Sequence, residues 1–265
     1  MDGCPRQNPA YGLLRRPPLA RGSLRFRARR VIQAALNGDR PPGAHPAVPV
    51  SAREIAADAA ACRAAGAASV HFHPRGPDGV ESLGARACDA AVAAVRAAAP
   101  GLEISLSTAA GIDLGGARDR IAAVRAWGVP PDLVSVNLSE EGSLDLGVAV
   151  LERGIGIEAG VFTLDDADRL LSAPWAGQVR RILVETFLDD PEAAVADARA
   201  IDARVAPLGR PRLWHGVGRA TWAVVAAGLA AGHDVRVGLE DALDGDGGPA
   251  PGNPGQVAAA LALAS

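Results

Sequence analysis

The sequence predicts an α/β fold, a (β/α)8 TIM barrel, and three observations predict it. From about residue 30, short β-like runs alternate eight times with longer alanine-rich runs of helical period. Strands separated by helices pair in parallel with right-handed crossovers, and eight such units most simply close into a barrel. The polar residues of the strands fall largely on one parity, as expected where one face meets the barrel axis and the other meets helices. Finally, 265 residues of which 49% are hydrophobic suffice to bury one core of this size. An open doubly wound sheet is the alternative. Its glycine fingerprint is missing, because "GVGRATWAVVAAG" lacks the GxGxxG spacing after a strand.

The elements follow in order. "VIQAAL" (31–36) is the first strand. A helix then starts near Ser51, where Ser51-x-x-Glu54 fits a capping box, and Gly66 ends it. "SVHFH" (69–73) is second, with a helix over about 84–98. "EISLS" (103–107) is third, with a helix over 116–127, and "LVSVN" (133–137) is fourth, with a helix near 144–153. "IGIEA" (155–159) precedes a helix near 164–172, and "RILVE" (181–185) one near 191–205. "RLWHG" (212–216) precedes a helix near 220–231, and "VRVGLE" (235–240) a last one near 254–264. The barrel domain is thus 30–265. Residues 1–29 read as an arginine- and proline-rich tail, expected to be poorly ordered, without the apolar core of a secretory signal.

Composition excludes some chemistry. All 27 basic residues are arginine, so no lysine exists for a Schiff base or a Walker-type phosphate loop. A carbanion beside a carbonyl would need a metal or an oxyanion hole instead. The net charge of −3 points to neither nucleic acid nor an acidic membrane, and no apolar run is long enough for a membrane span. Cys4, Cys62 and Cys88 show no CxxC spacing, which fits a reduced cytoplasmic protein with idle thiols.

The strand interiors are unusually polar. Gln33 and Asn37 share a face on strand one. Ser69, His71 and His73 oppose Val70 and Phe72 on strand two, and Glu103, Ser105 and Ser107 oppose Ile104 and Leu106 on strand three. Ser135 and Asn137 oppose Val134 and Val136; Glu185 has the opposite parity to Val184; Arg236 and Glu240 oppose Val235, Val237 and Leu239. These groups gather toward the C-terminal strand ends, where barrel active sites form. The bland reading is a satisfied hydrogen-bond network without catalysis, because unpaired buried polar groups cost several kcal/mol each (~2–7). Same-face positions on one strand lie roughly 6.5–7 Å apart, so His71 and His73 can share one ion. Glu240 closes strand eight, near strand two in a closed barrel. Two histidines and a carboxylate with an open position make a catalytic zinc pattern that also suits other divalent metals. A lone HxH is often structural; the same-face glutamate raises its weight. His215 ends strand seven and either reaches the site or packs, while His45 and His233 read as solvated loop residues.

Several segments, in order, carry a resemblance: "ALNGDRPPGAHPAVPVSAREIAADAAACRAAGAASVHFHPR" (35–75), "ISLSTAAG" (104–111), "LVSVNLS" (133–139), "GIEAGVF" (156–162), "WHGVGR" (214–219), "GHDVRVGLEDAL" (232–243) and "GNPGQVAAAL" (252–261). On these the chain resembles the β-keto acid cleavage enzymes. The resemblance implies a (β/α)8 barrel with one divalent metal, normally Zn2+. It also implies condensation of a β-keto acid with acetyl-CoA to give acetoacetate and a new acyl-CoA. It further implies His71, His73 and Glu240 as metal ligands, with Arg236 and Asp241 as the catalytic pair. Ser107, Thr108, Ser135 and Asn137 fall in its substrate-binding segments, Glu158 matches a fifth-strand glutamate, and Asn37 is grouped with the substrate-binding residues. A homo-oligomer acting on small molecules is expected on the same ground. The chemistry agrees: a β-keto acid can chelate the metal, Asp241 takes the C2 proton, and the enolate attacks the thioester before a retro-Claisen split.

Departures are visible. The loop after strand one reads "NGDR", with Arg40 near the place of an acidic residue in the member acting on an amino-keto acid. That favours an anionic or neutral substrate tail. The sixth strand reads "LVETF" where members tend to carry glycines, making Glu185 a polar lining residue of a subgroup. Two rivals remain: a CoA-independent metal-dependent lyase or hydrolase, and a non-catalytic barrel that binds a keto acid or metal. CoA dependence separates the first, and a dispensable Asp241 would mark the second.

Overall fold

A computed structural model describes residues 30–112, 116–245 and 248–265; the expected tail and Cys4 lie outside the described residues. Eight parallel strands, in chain order, close into a barrel. They are β1 (Ile32–Ala35), β2 (Ser69–Phe72), β3 (Glu103–Leu106), β4 (Leu133–Asn137), β5 (Gly156–Val161), β6 (Arg181–Thr186), β7 (Arg212–Gly216) and β8 (Asp234–Val237). The helices are α1 (Ala52–Ala65), α2 (Ala85–Ala98), α3 (Ala117–Ala126), α4 (Ser143–Glu152), α5 (Leu164–Ser172), α6 (Pro191–Val205), α7 (Thr221–Ala231) and α8 (Asn253–Leu263). A two-residue antiparallel pair, β9 (Asp244–Gly245) with β10 (Gly248–Pro249), sits in the β8–α8 connection, where no strand was expected.

Local chemistry explains the element ends. Ser51 and Glu54 form the expected capping box, and Gly66, in the left-handed region at φ 110°, closes α1. The core is the layer between strands and helices. Val70, Phe72, Ile104, Leu106, Val134 and Val136 are fully buried there, each on the parity that faces away from the barrel axis.

The interior is a polar column. At its foot Arg181 bonds Glu158 through Nε at 2.6 Å and also pairs with Glu103. Gln33 Nε2 donates to Glu158 Oε1 at 2.8 Å and to Ser69 at 3.2 Å. Burial pushes the Glu158 carboxyl upward, but Arg181 and its other partners hold it below the usual range. Pairing of this kind is what lets charges replace the bulky aliphatics usual in a barrel.

Two strand ends differ from expectation by more than one residue. β8 stops at Val237 rather than reaching Glu240, and the amides of Asp241 and Ala242 both bond Gly238 O in a tight turn. A Cβ on Gly238 would lie 2.0 Å from Ala35 O, so only glycine lets β8 leave β1 at this point. β5 runs on to Val161, beyond the expected 159. His45 is buried and His233 stacks on Trp214 with ring centroids 5.4 Å apart, so neither is the solvated loop residue expected.

Candidate metal centre and active site

β2 delivers the histidines. His71 pairs in register with Ser105, and its Nδ1 lies 3.1 Å from the Ser105 hydroxyl. That hydroxyl donates to Glu158, so it accepts from His71 and leaves the His71 Nε2 lone pair facing the barrel mouth. His73 stands one residue beyond the strand, held by Asn37. The Asn37 Oδ1 accepts from His73 N at 2.9 Å, and its Nδ2 donates to His73 O at 3.0 Å and Pro49 O at 3.1 Å. Proline 74 has no N–H to continue the ladder. The His73 Nδ1 hydrogen-bonds Glu81, again leaving Nε2 for the mouth.

The turn after β8 delivers the acids. Leu239 N donates to Asn253 Oδ1 at 2.7 Å, and Asn253 Nδ2 donates to Leu36 O at 2.9 Å, which ties the turn to β1. Arg40 Nη2 donates to Glu240 O at 2.7 Å. Gly38 matters here. Its φ is +52°, and a Cβ on it would lie 2.4 Å from Glu240 Cγ. The glycine is both the bend and the space for the carboxylate.

Three donor atoms result, one each from His71, His73 and Glu240, all within 4.8 Å of one another. Glu240 Oε1 lies 3.8 Å from His71 Nε2 and 3.5 Å from His73 Nε2. Tetrahedral zinc with bonds of about 2.1 Å separates its ligand atoms by roughly 3.4 Å. Glu240 Oε2 is buried without a hydrogen-bond partner. The orphaned oxygen, the His71 Nε2 lone pair and a His73 Nε2 that gives up its proton fit a divalent cation.

Charge around the set is dense. Burial, with Arg236 and His73 nearby, outweighs Glu240 and pulls His71 down to about 4, so it is neutral at pH 7. Burial acts the same way on His73, but Glu240 and Glu81 outweigh it and bring it up to about 9. Arg236 Nη2 donates to Glu240 Oε1 at 2.6 Å and Asp241 Oδ1 at 2.7 Å, and Nε donates to Asp241 Oδ2 at 3.1 Å. Burial would raise both carboxyls; Arg236 above all holds Glu240 well below the ordinary range and Asp241 below it.

A cavity of about 440 Å³ opens onto this cluster. Its polar lining includes His73, Glu81, Glu185, Arg236, Glu240 and Asp241, its apolar lining Ala109, Ile112, Phe187 and Val217, and Asp39, Arg40 and Gly111 complete it. Five expected site residues therefore converge: His71, His73, Glu240, Arg236 and Asp241. Asn37 and Glu158 stand behind the donors, one locking the backbone of His73 and the other reaching His71 through Ser105. Thr108 donates to Ser135 O, Ser107 Oγ accepts from Ala109 N at 3.2 Å, and Asn137 donates to Glu140 at 2.9 Å. Those side chains, with Ser135, are not part of the cavity lining. Sequence reasoning missed Glu81. It lies in a loop without periodicity, so no sequence signal marks it; the Arg75–Glu81 backbone bridge folds that loop back to His73.

Fold and site together define a (β/α)8 barrel with a two-histidine, one-carboxylate centre and a buried Arg–Asp pair at its C-terminal mouth. The model of the beta-keto acid cleavage enzyme family matches residues 29–265, and the chain belongs to that family. It is 25% identical over 226 residues to the 3-keto-5-aminohexanoate cleavage enzyme of Fusobacterium nucleatum subsp. nucleatum, covering 80% of this chain and 82% of that enzyme. Two solved structures share the fold. One is 3-dehydroquinate dehydratase from Geobacillus kaustophilus, with a TM-score of 0.60, 16% identity and coverage of 88% and 90%. The other is thiamine phosphate pyrophosphorylase from Pyrococcus furiosus, with a TM-score of 0.55, 12% identity and coverage of 90% and 96%. Among the described residues no helix is long and apolar enough to cross a membrane.

Proposed function

We propose that the protein condenses a β-keto acid with acetyl-CoA to give acetoacetate and a new acyl-CoA, using a divalent metal, zinc in the first instance, held by His71, His73 and Glu240. The observation that carries this reading is one cavity that brings His73, Glu240, Arg236 and Asp241 together. When bound there, the metal supplies a Lewis acid for the ketone and carboxylate oxygens of the keto acid.

The chain's own residues do the rest. Asp241 takes the proton from C2 of the keto acid. Arg236 orients Asp241 through three hydrogen-bonded contacts and sets a fixed positive charge beside the reacting oxygens. The C2 carbanion adds to the acetyl thioester carbon and CoA thiolate leaves. The thiolate then attacks the original ketone carbon, the C–C bond to C2 breaks, and the proton on Asp241 returns to C2 of acetoacetate. Burial of His71, His73 and Asp241 limits water at the donors, and Ile112, Phe187 and Val217 add apolar lining. Arg40 at the cavity favours a neutral or anionic tail on the keto acid over an ammonium. The reading places the reaction in the cytoplasm and on a homo-oligomer, the assembly expected of the family.

The test is metal content together with a substrate panel. Zinc near one per chain, acetoacetate formed only with acetyl-CoA, and loss of both in His71→Ala are expected. Metal without acetoacetate across a broad panel would move the reading to a CoA-independent lyase or hydrolase. Asp241→Asn that binds metal and keeps full turnover would remove Asp241 as the base.

A further inference from the structure

We propose that His215 and Glu185 are positioning residues that hold Asp241 from the side opposite Arg236, an extension that rests on Asp241 being the base. His215 is completely buried, yet it belongs to neither the donor set nor the hydrophobic layer. On β7 the same face carries Leu213 two residues earlier, an ordinary aliphatic filler. An imidazole at this level therefore calls for a polar partner.

Register supplies two. Glu185 of β6 is the direct partner of His215, so both side chains enter the barrel together. The His215 Nε2 lies 3.3 Å from Glu185 Oε2, and Nδ1 lies 3.7 Å from Asp241 Oδ1. Both ring nitrogens are buried without a hydrogen-bond partner, and the two carboxylates are the charged groups nearest to them. The ring thus sits between two carboxylates, and both of those line the cavity. Burial pulls His215 down, but Glu185 and then Asp241 outweigh it and bring it up to about 9, against the opposing charge of Arg236. At neutral pH it presents N–H on both sides.

The two clamps are complementary. Arg236 grips Asp241 from within β8 and its turn. His215 reaches it from β7, whose following loop already bonds the same residue through Gly218 N to Asp241 O at 2.8 Å. Glu185 fixes the tilt of the ring. The 3.7 Å gap is longer than a hydrogen bond, and gaps of this kind close when a site fills.

Acetyl-CoA-dependent cleavage and NMR of the resting protein decide it together. His215→Asn is expected to lower kcat 10–100-fold with KM and bound metal unchanged, and Glu185→Gln to lower it less. In an Asp241→Asn background, His215→Asn should add less than twofold, because it acts through Asp241. A full multiplicative loss in the double variant would overturn the assignment, as would unchanged kcat in both single variants. His215→Gln takes the place of His215→Asn should the latter not fold. In ¹⁵N-labelled resting protein, Asp241→Asn should shift the His215 Nδ1–H signal and Glu185→Gln the Nε2–H signal. Signals that respond to neither change would refute the clamp. Should the wild-type protein cleave no β-keto acid at all, the reaction reading fails alone, and the NMR result still decides whether the clamp exists.

Discussion

Removing the Glu81 carboxylate tests how the metal centre is supported. His73 carries one carboxylate on each ring nitrogen, Glu81 at Nδ1 and Glu240 3.5 Å from Nε2. Losing the outer partner of a ligating histidine costs about 10–100-fold in metal affinity, because ring orientation and ligand basicity both fall. That is about 1.4–2.8 kcal/mol. A second effect opposes it. With its pKa brought up to about 9, His73 carries a proton at pH 7 that an incoming cation must expel. Expelling it across about two pH units costs roughly 2.7 kcal/mol. Glu81→Ala removes one of the carboxylates that retain that proton, so at pH 7 part of the loss is offset. At pH 9 and above the competition is nearly gone in either protein, and the loss shows in full. Competition with a fluorescent zinc chelator at both pH values reads this directly. Glu81→Ala should bind zinc 10–100-fold more weakly at pH 9 and lose less at pH 7. Equal affinity at pH 9 in a folded variant would refute the role given to Glu81.

Two further outcomes follow from other contacts. Burial pushes the Asp58 carboxyl up to about 6 although it accepts from Asn253 Nδ2 at 2.6 Å. Its neutral form favours the fold, so that contribution is present below about pH 4 and is lost as pH rises through 6. Asp58→Asn should raise Tm at pH 7 and leave it nearly unchanged at pH 4; the same shift at both would contradict this. Gly38→Ala combines left-handed backbone strain with a clash on Glu240 Cγ, so it should cost on the order of 1–3 kcal/mol in urea unfolding and weaken zinc binding. Unaltered zinc affinity would show that Glu240 has other room.

The period-2 pattern of Val70, Phe72, Ile104 and Leu106 against His71, Ser105 and their neighbours made the barrel and the inward face of β2 and β3 readable, because burial on one side of a strand leaves that signature. Glu240 was aimed correctly by a parity that does not physically apply. β8 ends at Val237, and a turn on Gly238 carries Glu240 to the histidines. The foot of the column was only half readable: Glu158 stood out as a match to the family, but its partner Arg181, the first residue of the sixth strand, was not singled out. Glu81 escaped because loop contacts leave no periodic trace. Asn37 showed its polarity but not its work, which is spent on the His73 backbone.

The two histidines come from β2 and the residue just past its end, and the carboxylate from the turn after β8, with β1 hydrogen-bonded between those strands. The centre therefore straddles the seam where the ring shuts. Any nascent chain has His71 and His73 long before Glu240, so the full donor set exists only once the last strand has docked. A cation with affinity for that set alone stabilises the closed ring by mass action and does nothing for an open one. On the proposed reading, metal capture would report completed assembly, and the ion would act as a staple across the joint that the order of synthesis makes last.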